Sequence, residues 1–349
     1  MKTRYIRSEA DRPNEEGIRR AGEILRAGGL VAFPTETVYG LGGDALNKES
    51  SRKIYEAKGR PSDNPLIVHI CRWQDIERIV SRIPQAAYDL AKAFWPGPLT
   101  MILQKSDVVP YETTGGLDTV AVRFPLHPVA RLLIEAAGGY VAAPSANRSG
   151  RPSPTTAKYV AEDMDGRIDM IIDGGEVGIG LESTIVDLTG SVPMILRPGH
   201  ITQEMLESVL GEVAADKTMF GEADGARPKA PGMKYRHYAP KGVLTIVEGN
   251  RDAVTEKINA LTREALAAGE KVGVIATEET VHAYHADCVK NIGSRSDEAA
   301  IAHNLYAILR EFDDEEMTVL FSEAFDTAGM GQAIMNRLLK AAGHRVVRV

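Results

Sequence analysis

Apolar residues recur along this chain in two rhythms, one of helical period and one of short unbroken runs. Ile18, Ala21, Ile24 and Leu25 fall at helical spacing, Asn14 stands where an N-cap belongs, and Gly28-Gly29 close the run, which predicts a helix over 14–27. Leu30 to Phe33 then make a buried-type strand that runs straight into Pro34-Thr35-Glu36-Thr37-Val38-Tyr39-Gly40-Leu41-Gly42, a turn rich in hydroxyls and glycine. Residues 50–58 read as a second helix, with Ile54 and Ala57 on one face and Gly59 as its stop. Strands follow over 65–70, 99–103 and 119–124, and helices over 84–94 and 128–137. A strand over 140–143 repeats the first design, ending in Pro144-Ser145-Ala146-Asn147-Arg148-Ser149-Gly150. Short strands at 169–172, 183–188 and 193–197 and a helix over 202–210 complete this part. The mixture of crossovers and hairpin-length connections predicts a twisted mixed sheet with helices.

Residues 212–241 break the rhythm. Gly, Ala, Asp, Lys and Pro dominate there, and Pro231 and Pro240 bracket an aromatic and cationic stretch, Gly232-Met233-Lys234-Tyr235-Arg236-His237-Tyr238. From Val243 the pattern becomes plain βα alternation: strands at 243–247, 271–276, 288–292 and 317–322, helices at 252–268, 297–312 and 331–341, and a short helix before 288. The expected organisation is an α/β domain over 1–211, a linker or lid over 212–242, and a small three-layer, Rossmann-like α/β domain over 243–349. The last lacks GxGxxG and GxxxxGK[ST], and Gly329-Met330-Gly331 is too short a match for nucleotide binding.

Composition narrows the ligand. The net charge of −7 and an aromatic content of 6% weigh against a protein that grips a long polyanion or stacks many bases, so any cationic patch is local and suits a small phosphate compound. Cys71 and Cys288 lie far apart with no CxxC, which leaves two reduced structural thiols and a cytoplasmic setting as the expectation. The N-terminus is charged and lacks a signal-peptide run, and no apolar stretch approaches membrane-spanning length.

The candidate chemistry gathers where strands end. Lys58, Arg60, Arg123, Arg148 and Arg197 mostly sit at the carboxyl end of a strand or helix beside Gly, Pro, Ser or Thr. A single Lys or Arg is ordinarily a solvated surface charge. Arg123 and Arg197, however, each end an apolar strand before a Pro, and several cations on one rim would stabilise a nucleotide's phosphates. Thr35, Thr37, Ser145, Asn147, Ser149, Ser153 and Ser183 add hydroxyls and amides, for which turn formation alone is the plainer explanation one residue at a time. His69 lies inside an apolar strand, where a core histidine is the commoner outcome. No His/carboxylate cluster offers a metal cage, and no Ser/His/Asp grouping or GxSxG reads as a hydrolase.

Pro34 to Leu41, Lys58-Gly59-Arg60-Pro61, Asn64-Pro65-Leu66-Ile67-Val68-His69, Trp95-Pro96-Gly97-Pro98-Leu99-Thr100 and Pro144-Ser145-Ala146-Asn147 together resemble the threonylcarbamoyl-AMP synthases, the YrdC-type enzymes of tRNA modification. Pro231 to Pro240 and Ala333-Ile334-Met335-Asn336-Arg337 resemble the longer, two-domain members, so the resemblance spans nearly the whole chain. It implies that L-threonine, bicarbonate (or CO2) and ATP give threonylcarbamoyl-AMP, pyrophosphate and water, the first step of threonylcarbamoyladenosine modification of tRNAs reading ANN codons. It also implies roles by position. Lys58, Arg60, Ser145 and Asn147 are the catalytic set. Arg123 pairs with the threonine carboxylate, with Thr35, Thr37, His69, Ala143 and Ser183 around the rest of the amino acid. Lys58, Arg60, Asn64, Thr119, Ser145, Asn147, Ser153, Arg197 and Tyr235 hold ATP and the bicarbonate-derived group. Mg2+ rides on the ATP phosphates with no protein ligand. The product passes to the downstream tRNA threonylcarbamoyl transferase complex, tRNA binding is weak or absent, and no membrane is involved. Two other classes compete: a non-catalytic RNA-binding module, disfavoured by the net charge, and a carbamoyl-phosphate-using relative, whose acylphosphatase and zinc-finger segments are missing here.

Overall fold

The computed structural model describes residues 2–216, 219, 230, 231 and 237–349. The chain forms two compact units, Met1–Ser149 with Ser153–Lys234, and Gly150–Pro152 with Tyr235–Val349. In the first, the order is β1 (Arg4–Arg7), α1 (Glu15–Arg26), β2 (Val31–Phe33), β3 (Gly40–Asp44), α2 (Lys48–Lys58), β4 (Ile67–His69), α3 (Ile76–Ile79), α4 (Gln85–Phe94) and β5 (Leu99–Gln104). It continues with β6 (Thr119–Arg123), α5 (Pro128–Ala136), β7 (Val141–Ala142), α6 (Ala157–Met164), β8 (Met170–Asp173), β9 (Thr184–Asp187), β10 (Met194–Arg197), α7 (Gln203–Leu210) and β11 (Ala214–Ala215). Asn14 caps α1 by accepting the Gly17 N–H, and Asn47 caps α2 by accepting that of Glu49.

The strands form one sheet in the order β1-β8-β2-β3-β7-β4-β6-β5-β9-β10-β11. It is mixed, as expected: β4 and β6 are parallel, while β6 and β5 are antiparallel. Alternation along each strand separates two faces. Ala32, Val68, Met101, Val122 and Ala142 pack under α2, α3, α4, α6 and α7. Val31, Phe33, Val141 and Met170 point the other way, under α1 and α5. That second face continues over β4, β6, β5, β9 and β10 as a separate apolar patch of Ile67, Ala121, Ile102, Ile185 and Leu196, to which no helix contributes a residue. Half of one sheet face therefore lies outside the helical layers.

Five elements of the first unit depart from the sequence expectation, the short α3 and β11 and the three that follow. Gly40 to Asp44 reads as a turn by composition, yet it is strand β3. Its glycines serve close packing: a Cβ on Gly42 would lie 3.0 Å from the Phe33 ring and one on Gly43 would lie 3.0 Å from the Ile54 side chain. Strand β1 was not anticipated because it is a largely exposed edge strand with one partly buried apolar position, Ile6. Helix α6 was missed because its buried side is short, only Tyr159, Val160, Asp163 and Met164.

The second unit alternates as expected: β12 (Val243–Glu248), α8 (Arg251–Ala267), β13 (Val272–Ala276), β14 (Cys288–Asn291), α9 (Glu298–Asp314), β15 (Val319–Glu323), α10 (Gly331–Ala341) and an unanticipated last strand β16 (Val346–Arg348). Its sheet is entirely parallel, in the order β14-β13-β15-β12-β16. No helix of the described residues is long and apolar enough to cross a membrane.

Candidate active site

The strand register draws distant residues into one row across the half-sheet that carries this patch. His69 on β4 pairs with Arg123 on β6, Arg123 with Thr100 on β5, Thr100 with Ile185 on β9, and Ile185 with Arg197 on β10. Side chains then close the row. Ser183, just before β9, shares a 2.7 Å hydrogen bond with Thr100, and Arg197 donates from Nη2 to the Ser183 hydroxyl at 3.1 Å and from Nε to its carbonyl at 3.0 Å. Arg123 donates from Nη1 to the Thr37 hydroxyl at 2.9 Å and pairs through Nη2 with Glu36 Oε1 at 2.6 Å. Thr35 backs Thr37 at 2.9 Å and donates to the Val38 carbonyl at 2.7 Å. The Thr-Glu-Thr turn thus carries side-chain bonds to Arg123 that turn formation alone does not require.

The two Pro-led turns meet. The Ala146 N–H donates to the Tyr39 carbonyl at 2.8 Å, the Leu41 N–H to the Pro144 carbonyl at 2.8 Å, and Gly40 bridges Ser145. Helix α2 delivers Lys58 to this junction. Gly59 takes the left-handed conformation (φ 63°) that ends the helix, leaving Lys58 as its last residue. The Lys58 ammonium, on a side chain only 1% exposed residue by residue, donates to the Ser145 carbonyl at 2.5 Å and to the carbonyl and side-chain oxygen of Asn147. The Ser149 N–H returns a bond to the Lys58 carbonyl at 2.9 Å. Lys58, Ser145 and Asn147 are one cluster.

The other expected residues make contacts of their own. Arg60 is buried and donates to the Asn64 and Pro65 carbonyls at 3.2 and 3.1 Å, while Asn64 Oδ1 is buried without a hydrogen-bond partner. Ser153 is buried and donates to Glu182 at 2.5 Å. Ala143 is buried beside the row, its N–H on the Ile67 carbonyl at 2.9 Å. Thr119 opens β6 and pairs with Gln104, so it stands at the far end of that strand from Arg123, with Ala121 of the apolar patch between them. Tyr235 lies outside the described residues. From the same linker, Ala230 is described: it is fully buried against Ile67, Ile102, Ala121, Ile185 and Leu196.

Sequence reasoning passed over Glu36, Thr100 and Glu182. The first two stand within the quoted motifs, Glu36 between two threonines and Thr100 at the end of Trp95 to Thr100, so the motifs carried a signal that hydroxyl counting did not use. Glu182 has only its neighbour Ser183 to mark it.

Burial sets the electrostatics. The four main cations, Lys58, Arg60, Arg123 and Arg197, are all at most 9% exposed, the reverse of the solvated-surface expectation for each taken singly. Burial, with the positive charge of Arg123 adding to it, pushes the His69 imidazole down to about 3, so the ring is neutral at pH 7 and sets its Nδ1 3.1 Å from the Ile67 carbonyl. Burial alone would push the Glu36 carboxyl up; the Arg123 guanidinium more than reverses that and holds it below its ordinary value. One end of the row is therefore an ion pair aimed by hydroxyls, and the adjoining turns carry an ammonium set among backbone carbonyls.

The chain is similar to known proteins. The family model Sua5_yciO_yrdC, described as telomere recombination, matches residues 23–199, and the model for the threonylcarbamoyl-AMP synthase C-terminal domain matches 201–343. The chain is 50% identical over 97% of its length to the threonylcarbamoyl-AMP synthase of Pyrococcus abyssi, covering 98% of that protein. It is 49% identical over 96% of its length to that of Bacillus subtilis, covering 95% of it. The crystal structure of P. abyssi Sua5 complexed with L-threonine superposes with a TM-score of 0.93 at 49% identity, covering all of both chains. On these grounds the chain belongs to the threonylcarbamoyl-AMP synthase family.

Proposed function

We propose that the half-sheet carrying this row is where L-threonine, bicarbonate and ATP become threonylcarbamoyl-AMP, pyrophosphate and water, with the amino acid at the Arg123 end of the row. The observation that carries this placement is Arg123 itself: a buried guanidinium aimed by Thr37 and Glu36, whose Nε is buried without a hydrogen-bond partner. A carboxylate arriving there gains a charge-assisted bond to a donor that nothing else uses. Thr35, Thr37, His69, Ala143 and Ser183 surround the remaining amine and hydroxyl. Neutral His69 suits a hydroxyl better than a charged group.

Lys58, Arg60, Asn64, Thr119, Ser145, Asn147, Ser153 and Arg197 hold ATP and the bicarbonate-derived group. The threonine amine takes up CO2 as a carbamate, and a carbamate oxygen attacks the α-phosphorus of ATP. That step requires no protein nucleophile; it requires in-line positioning, neutralised charge and a dry chamber, because the carbamate decomposes in water. Lys58 and Arg60 answer the phosphate charge, and the apolar patch under Ala230 supplies a floor without water-binding groups. Residues 212–242 act as the lid, with Tyr235 closing over the phosphates; the burial of Ala230 on the sheet supports this. The polar donors at the site are cations, hydroxyls and amides, with Glu182 engaged by Ser153, a set that suits a Mg2+ ion arriving on ATP. Mg2+ there neutralises phosphate charge.

We assign the work to the cytoplasm, where the two unpaired cysteines Cys71 and Cys288 remain reduced. The product passes to a tRNA threonylcarbamoyl transferase complex, with little or no tRNA held by this chain itself.

The test is pyrophosphate release from ATP alone, then with L-threonine and bicarbonate added. Release should require both; release indifferent to either one sinks the reading.

A further inference from the structure

We propose that Glu36 is the counter-charge for the substrate amine, so that Glu36 and Arg123 together grip the two charged ends of the amino acid. This deepens the reading above and rests on it, since it takes L-threonine to dock at Arg123.

The ion pair is incompletely satisfied on both sides. Arg123 Nη2 and Glu36 Oε1 meet at 2.6 Å, yet Arg123 Nε and Glu36 Oε2 are each buried with no hydrogen-bond partner. Leaving a buried polar group unmet is unfavourable, and for charged groups more so. A pair retained for stability alone would have its spare donor and spare acceptor answered by neighbours. Here one spare atom belongs to a cation and the other to an anion, within a single pair. Their complement is a zwitterion: a carboxylate for Nε and an ammonium for Oε2.

Among the described residues, the surroundings hold the pair in place, and the two histidines that act on Glu36 add no positive charge. The Ile179 N–H donates to the Glu36 carbonyl at 2.9 Å and the Gly180 N–H to the Thr37 carbonyl at 3.1 Å, so the turn that carries the carboxylate is tied down by a neighbouring segment. Thr37 fixes Nη1 of the arginine. Two histidines act electrostatically with Glu36. Burial keeps His69 neutral, and it lowers His127 as well, whose Nδ1 is itself buried and unpartnered. Neither brings a positive charge to Oε2 at pH 7. Arg123 meets the negative charge of Glu36 on one oxygen and the Glu36 and Leu126 backbone N–H groups also favour the ionised carboxylate, while Oε2, which has no hydrogen bond of ordinary geometry, suits a cationic ligand group.

Glu36 is then a specificity residue. It distinguishes an amino acid from a hydroxy acid of the same shape.

The experiment uses the full chain and two probes, L-threonine and its hydroxy-acid analogue, in which a hydroxyl replaces the amine. Binding of each is measured by calorimetry for the wild type, Glu36→Gln and Glu36→Asp. In Glu36→Gln a carbonyl oxygen still accepts from Arg123 while the charge is gone. L-threonine affinity should fall roughly 10- to 150-fold, the range for a charge-assisted bond, while the analogue changes by less than about twofold. Glu36→Asp, which keeps the charge, should recover part of the loss. Equal weakening of both probes would mark Glu36 as merely structural and overturn the proposal, as would unchanged L-threonine binding. The wild type alone gives a second test that needs no variant to fold: it should prefer L-threonine over the analogue at least about tenfold, and equal affinity refutes the assignment. Failure of the functional reading looks different, as wild-type pyrophosphate release that ignores L-threonine.

Discussion

Arg123 in the first unit and Arg310 in the second are both buried arginines, and they differ in what their neighbours leave over. Arg310 is 1% exposed and spends Nε and Nη2 on the Pro152 carbonyl, at 3.1 and 2.6 Å. One turn along α9, Asp313 accepts from the Lys241 N–H at 2.6 Å and faces Arg151 at 3.4 Å. Glu323, at the end of β15, accepts from Thr280, Tyr284 and Arg295. These carboxylates are knitted to protein groups, although Arg295 Nε is itself buried without a hydrogen-bond partner. Arg123 is just as buried, but it keeps an unmet Nε, its partner Glu36 an unmet Oε2, and nearby Asn64 an unmet Oδ1. Burial of charge therefore does not by itself mark a site. A single unmet donor does not either, since Arg295 Nε and Thr262 Oγ1 are also buried without partners; what sets the Arg123 pair apart is that its cation and its anion each keep a spare atom.

That contrast can be broken by mutation. The largest effect is expected for Arg123→Ala, which strands the Glu36 carboxylate: stability should drop by about 3–5 kcal/mol in urea titration. Threonine-dependent pyrophosphate release should fall at least roughly 10- to 150-fold, and Lys58→Ala should lose turnover in the same range while keeping its L-threonine affinity. Unchanged kinetics in both variants would refute their assignment. Arg310→Met should lower stability by about 1–3 kcal/mol, by stranding a carbonyl, and leave the folded protein's KM for L-threonine unaltered. If that KM rose in step with the stability loss, the distinction between knitted and waiting charges would collapse.

A smaller effect concerns pH. His69 is held near 3 when folded and titrates near 6.5 when unfolded, so between those values the unfolded chain binds more protons. Stability should therefore rise with pH through that window and be lost as the medium is acidified from about 6.5 towards 3. Urea midpoints for the wild type should slope more steeply there than those of His69→Gln, and equal slopes would show that His69 is not the group responsible. The smallest effect is expected at the far end of β6. Thr119→Val removes one neutral hydrogen-bonding group, so the KM for ATP should rise about 2- to 10-fold with that for L-threonine unmoved.

Much of the architecture was legible before any coordinates. Most helices and strands of both units follow from apolar period, Asn caps and glycine stops, and the two Pro-led turns at residues 34 and 144 were visible as hydroxyl-rich strand ends. Where local composition and packing disagree, the pattern misleads. Gly40 to Asp44 has the residues of a turn and the structure of a strand, because the neighbouring Phe33 and Ile54 leave no room for a Cβ. Exposed β1 carries too little apolar alternation to be seen.

The chain by itself determined its α/β elements, its two-part organisation and the residue types its chemistry requires, since helix period, turn preference and motif spacing are local properties. Register and burial are not local. Only the folded sheet decided that His69, Arg123, Thr100 and Arg197 stand in one row, that Lys58 reaches Ser145 and Asn147, and that cations expected in solvent are buried. Only the fold, too, left Arg123 Nε and Glu36 Oε2 without protein partners, because whether a polar group is met depends on every segment packed around it.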